Sequence, residues 1–158
     1  QWPLELLDQV ADLSNVIAIK EDAKNDDYSD QVIRLLKDRV SIIISGGGKS
    51  QWMRFEDKGC QAWLNGIGVF EPRLATSFWR AWNSGNKNIV NRIVNEVEAP
   101  FFDHGVKKYG WHLTIKVALE SFGHMSKHDR MPLMPLGKEE ADKFLIKLDK
   151  LPIKELII

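Results

Sequence analysis

The sequence has a single cysteine, Cys60, no excess of either charge, and no apolar run near the length of a membrane span. One thiol excludes an intrachain disulfide and fits a reducing compartment, so a cytoplasmic location is expected. A spanning helix needs about 20 consecutive apolar residues, so no membrane partner is expected. Lysine and arginine number 22 and aspartate and glutamate also 22, which leaves no electrostatic case for nucleic acid. A nucleophilic serine elbow, a dinucleotide fingerprint and low-complexity tracts are also missing. Of the four histidines, His124 and His128 stand four residues apart. Gly123 ends the preceding helix, and no cysteine or carboxylate set completes a ligand shell. Neither a metal nor a cofactor is expected.

What is present is alternation. Pro3 suits the first turn of a helix with Leu4, Leu7, Val10 and Leu13 on one face. Val16–Lys20 reads as a buried strand, and Ser29 as the N-cap of a helix carrying Val32, Ile33, Leu35 and Leu36. Val40–Ser45 is a second buried strand. A short helix over Gln51–Lys58, capped by Ser50 and closed by Gly59, leads to a third strand around Gln61–Gly66. Strand, loop and helix in repeated order build a parallel sheet covered by helices, an α/β fold. After Gly85 the spacing becomes helical, so the expected division is residues 1–85 and 86–158. The terminal Leu156-Ile157-Ile158 fits either helical packing or an edge strand. The six tryptophans sit mostly at helical spacing, as packing anchors. The chain opens on Gln1-Trp2-Pro3 without methionine, so a part of a longer polypeptide is expected.

Two features bear on chemistry. Lys20 closes the run Val16-Ile17-Ala18-Ile19, at the strand end where parallel α/β folds gather ligand groups. A partly desolvated amine there favours its neutral form, which attacks carbonyls and forms Schiff bases. The alternative is a lysine that snorkels from the strand end into water. The second feature is Ser45-Gly46-Gly47-Gly48-Lys49-Ser50, between strand and helix. A phosphate-binding loop would need glycine where Ile43 stands, so nucleotide hydrolysis is excluded. The glycines serve either an anion held at the helix N-terminus or an ordinary tight turn.

In order, Asn15-Val16-Ile17-Ala18-Ile19-Lys20-Glu21, Ser45-Gly46, the Gly59 to Pro72 segment and Arg130-x-Pro132-Leu133-x-Pro135-Leu136 resemble the C-terminal portion of the dihydrodipicolinate synthase / N-acetylneuraminate lyase family. The third segment ends in a Gly-x-x-x-x-Pro loop, and Lys116-Val117-Ala118-Leu119-Glu120 precedes the fourth. The resemblance implies part of a (β/α)₈ TIM barrel, strands six to eight, followed by a C-terminal helical region. It also implies a Schiff-base-forming lyase, synthase or dehydratase acting on pyruvate or a related 2-keto acid. Lys20 matches the imine-forming lysine, Gly46 the glycine beside the keto acid, and Leu64 the residue bordering the imine. Gly47 and Lys49 join Gly46 and Leu64 as substrate-binding positions. Lys49 is the first side chain after the glycines, and is expected to reach a distal carboxylate of the substrate. The family often has acidic or polar residues after Gly46 and asparagine at the place of Val69. A homo-oligomer, a tetramer, is implied, with the remaining strands supplied by the same or another chain. The rival expectation is a barrel relative that binds or assembles without catalysis.

Overall fold

The computed structural model describes every residue except Gly47, and the chain forms two compact units, Gln1–Asn65 and Gly66–Ile158. The first unit alternates α1 (Leu4–Ala11), β1 (Ala18–Glu21), α2 (Asp26–Leu36), β2 (Ser41–Ile44), α3 (Gly48–Phe55) and β3 (Ala62–Trp63). The three strands are parallel in the order β1-β2-β3. Chain order and strand order therefore coincide.

Local chemistry explains where the elements differ from expectation. The Asn25 side chain accepts the amide of Tyr28 at 3.1 Å and caps α2, and Asp26 and Asp27 follow where the helix dipole favours negative charge. Ser29 lies inside α2, its hydroxyl directed to Glu21 and to the Asn25 carbonyl. Helix α3 starts at Gly48, ahead of Ser50, and stops at Phe55, while Gly59 holds a φ of +113° in the turn before β3. Strand β1 begins two residues later than the apolar run suggests, with Ile17 79% exposed.

Within its unit the sheet is covered by helices on one face, which corrects the expectation of strands buried on both. Ile19 pairs with Ile42, and Glu21 with Ile44 and then Trp63. On that face Glu21, Ile42, Ile44 and Trp63 are buried, with Val32, Ile33, Leu36, Trp52 and Phe55 from the helices. The Trp52 and Trp63 ring centroids lie 4.7 Å apart. Each apolar side chain among them contributes about 1.5–3 kcal/mol by leaving water. The opposite face carries Ala18 and Lys20, Ser41 and Ile43, and Ala62, all exposed or half-buried. The pleat puts successive side chains on opposite faces, so the two sets are fixed by register.

The second unit is helical. A 3₁₀ turn (Ile67–Val69) leads into α4 (Pro72–Asn83). A helical path over residues 87–109 follows: α5 (Lys87–Arg92), a π-helical stretch Ile93–Glu98, α6 (Ala99–Phe101), a second π-helical stretch Phe102–Val106, and α7 (Lys107–Tyr109). Two longer helices complete it, α8 (Trp111–Ser121) and α9 (Lys138–Leu148). Gly105 permits close approach, because a Cβ there would lie 2.4 Å from Thr114 Cγ2 and 2.7 Å from Phe144 Cε2. Phe101 packs against both Phe70 and Phe144. Helix α4 packs with α5 and belongs to the second unit. The C-terminus makes a 3₁₀ turn with Leu156 buried, and the Ile158 amide donates to Ser77 Oγ at 2.8 Å, so it docks on α4 instead of pairing as a strand. Trp52 and Trp63 are anchors, but Trp2, Trp79 and Trp111 are exposed. Among the described residues no helix is long and apolar enough to cross a membrane.

Candidate active site

Lys20 is the penultimate residue of β1, on the sheet face that the helices of its unit leave uncovered. Its amine donates to Asp22 Oδ2 at 3.2 Å, and the two side chains are 49% and 46% exposed. The desolvated setting anticipated for this amine is therefore not met within this chain. The physical reason is the bare face: nothing among the described residues of its unit lies over Lys20 to exclude water.

Asp22 links Lys20 to the loop after β2. Gly46 has a φ of +71°, and a Cβ built there would lie 2.7 Å from Asp22 Oδ1 and 2.9 Å from Lys24 Cγ. A side chain there would strain the left-handed backbone and push Asp22 and Lys24 aside, so the position favours glycine. Thus Lys20 and Gly46 are brought together through Asp22. Leu64, just beyond β3, donates its amide to the Ile44 carbonyl at 2.9 Å and alternates with Trp63, which puts it on the Lys20 face, 49% exposed. Gly47 lies outside the described residues.

Lys49 is placed differently. It stands in the first turn of α3, fully buried, donating to Asn65 Oδ1 at 3.1 Å with its amine 6.0 Å from the Trp63 ring centroid. Trp63 belongs to the helix-covered face, so the Lys49 amine lies with that face and not in the open with Lys20. Glu21, next to Lys20 but turned to the covered face, accepts from the Ala23 amide at 2.7 Å and from the Ser29 hydroxyl at 2.5 Å. This pair fixes the turn that carries Asp22. Cys60 is buried before β3, and burial pushes its thiol above the ordinary range, which makes it a poor nucleophile. Among the described residues no group of histidine, cysteine and carboxylates could hold a metal, and His124 Nε2 lies 2.8 Å from the Phe70 carbonyl.

Sequence reasoning missed Asp22, Asn65 and the Glu21–Ser29 pair. Asp22 had a readable signal, since it is an acidic residue two positions from Lys20, just past the strand end. The partner of Lys49 had none, because Asn65 is 16 positions away.

The arrangement can present a primary amine and a carboxylate together at the carboxyl end of a parallel sheet, beside a left-handed turn that favours glycine. The fold carrying it matches solved enzymes. One is a 4-hydroxy-tetrahydrodipicolinate synthase from Methylacidiphilum fumariolicum SolV, at TM-score 0.77 and 18% identity over 99% of this chain and 53% of that one. Others are the dihydrodipicolinate synthase of Aquifex aeolicus (TM-score 0.77, 18% identity, 98% and 51%) and the N-acetylneuraminate lyase of Proteus mirabilis (0.76, 16%, 95% and 50%). The chain thus spans about half the length of these structures. A comparison with curated proteins gives no significant match. The profile of the dihydrodipicolinate synthetase family matches residues 2–151. That match takes in the Lys20 strand, the Gly46 turn and most of the second unit, and the chain belongs to the dihydrodipicolinate synthetase family.

Proposed function

We propose that Lys20 is the imine-forming residue of a class I aldolase-type lyase, synthase or dehydratase acting on pyruvate or a related 2-keto acid. In this reading β1, β2 and β3 are strands six to eight of a (β/α)₈ barrel. The other strands come from the same or another chain, and the working enzyme is a homo-oligomer, a tetramer. The observation that carries the reading is the position of Lys20: a lysine near the carboxyl end of a parallel strand, on the face without helices, in a chain of this family. In a closed barrel that face becomes the interior, where catalytic groups gather at the carboxyl ends of strands. Covering it would also remove water from the amine and strengthen its interactions.

The neutral amine would add to the keto carbon, and loss of water would leave an iminium that accepts electrons from the bond being broken or formed. Gly46 and Leu64 would border that carbon. Gly47 would be a further substrate-binding position, and Lys49 would hold Asn65 from the covered side of the sheet. A non-catalytic relative that binds or assembles is the second reading, favoured by one feature: the Lys20 amine is half-exposed and ion-paired instead of desolvated. Lys20→Ala in the intact protein separates the two. Loss of turnover by several orders of magnitude is expected, whereas activity within about tenfold of the parent would exclude the imine mechanism.

A further inference from the structure

We infer that Asp22 is a catalytic residue that manages the proton on the Lys20 nitrogen during imine formation, an inference that rests on the role of Lys20 proposed above. Three observations support it. Asp22 Oδ2 lies 3.2 Å from Lys20 Nζ, the atom that would react. The contact is local, since Asp22 stands in the turn directly after β1, two residues beyond Lys20. Its other oxygen is seated against Gly46, where a Cβ would come within 2.7 Å. The carboxylate is therefore held between the reacting amine and the turn that would border the substrate.

Other groups around it are few in kind. Lys24 packs on the same glycine. Glu21 is turned to the covered face and engaged by Ser29 and the Ala23 amide. Asp22 is therefore the carboxylate of this turn that is placed at the Lys20 amine.

The step balances without an outside reagent. Asp22 takes one proton from the Lys20 ammonium, freeing the nitrogen lone pair. That pair bonds to the keto carbon while the carbonyl π pair moves to oxygen. The oxygen receives a proton from the now cationic nitrogen, which gives a carbinolamine. Asp22 then returns its proton to the hydroxyl, the carbon–oxygen bond breaks, and water leaves as the nitrogen lone pair forms the carbon–nitrogen double bond. Ammonium and ketone have become iminium and water, and Asp22 is a carboxylate again. Proton transfer by a positioned side chain contributes about 10²–10⁴-fold.

The test measures the rate of adduct formation with pyruvate, trapped by borohydride, across pH in the intact protein. Asp22→Asn is isosteric and exposed, so folding should be kept. It should slow adduct formation about a hundredfold and remove the limb of the pH profile that the carboxylate contributes. Asp22→Glu should recover much of the rate, and Lys20→Ala should give no adduct. If Lys20→Ala abolishes the adduct while Asp22→Asn forms it within twofold of the parent rate and with the parent profile, the role of Asp22 is overturned and that of Lys20 stands. A slowed Asp22→Asn with an unchanged profile and no recovery in Asp22→Glu also overturns it, since the residue would then act only on structure. An adduct that persists in Lys20→Ala removes the basis of both.

Discussion

Lys49→Ala should destabilise the protein substantially, and the structure gives the magnitude. The side chain is fully buried at the start of α3, and alanine removes three methylenes from it. At about 0.8 kcal/mol per buried methylene the packing loss alone is about 2–3 kcal/mol. The polar head adds terms of opposite sign. A charge-assisted hydrogen bond to Asn65 contributes about 1.5–3 kcal/mol, while desolvation of the ammonium costs several kcal/mol. Lys49→Met keeps the length of the stem and so isolates the head. Its effect should be small, within about 1.5 kcal/mol of the parent in either direction, as for volume-conserving core replacements. Urea unfolding of both variants beside the parent provides the measurement, with the slope compared to verify an unchanged transition. A Lys49→Ala cost below about 1 kcal/mol would refute the packing argument. It would return Lys49 to the substrate-facing position expected from the loop sequence.

Gly46→Ala should cost about 1–2 kcal/mol for a non-glycine residue at positive φ, and should displace Asp22. Unaltered urea stability would contradict the geometry at that turn. Glu71 caps α4 by accepting the Arg73 amide at 3.2 Å, and the hydrogen bond from the Arg73 guanidinium holds its carboxyl below the usual range. A lowered folded-state value means stability that is present above the unfolded value and lost as pH falls through the folded one. Glu71→Gln should therefore cost about 1 kcal/mol at neutral pH and flatten the acid limb of the stability curve. Cys60 should react with a thiol reagent at neutral pH only slowly in the native protein and fully after denaturation. Rapid native labelling would mean the site opens readily.

The sequence made the alternation of helix and strand legible because three short apolar segments, each ended by polar or glycine residues, are separated by helical spacing. It could not show that the helices cover one face only. Runs such as Ile42-Ile43-Ile44 are apolar on both sides of the pleat, and the register that separates Ile43 from its neighbours exists only in the folded sheet. The α2 cap was misplaced because Asn25 and Ser29 are both good caps, and Ser29 is drawn off by Glu21. The π-helical stretches within 93–106 were unreadable because the change to i→i+5 pairing leaves no distinctive residue pattern in segments of five or six residues. Lys20 and Gly46 were legible from strand end and glycine turn. The burial of Lys49 was not, because it depends on Trp63 and Asn65 folding back onto α3.

Whether Lys20 forms an imine is decided by borohydride reduction of the intact protein with pyruvate, followed by peptide mass mapping. One reduced pyruvate adduct per chain is expected, on the peptide containing Ala18-Ile19-Lys20-Glu21, and none without the keto acid. No adduct with any 2-keto acid tried, or one on another lysine such as Lys24 or Lys49 with Lys20 unmodified, would contradict it.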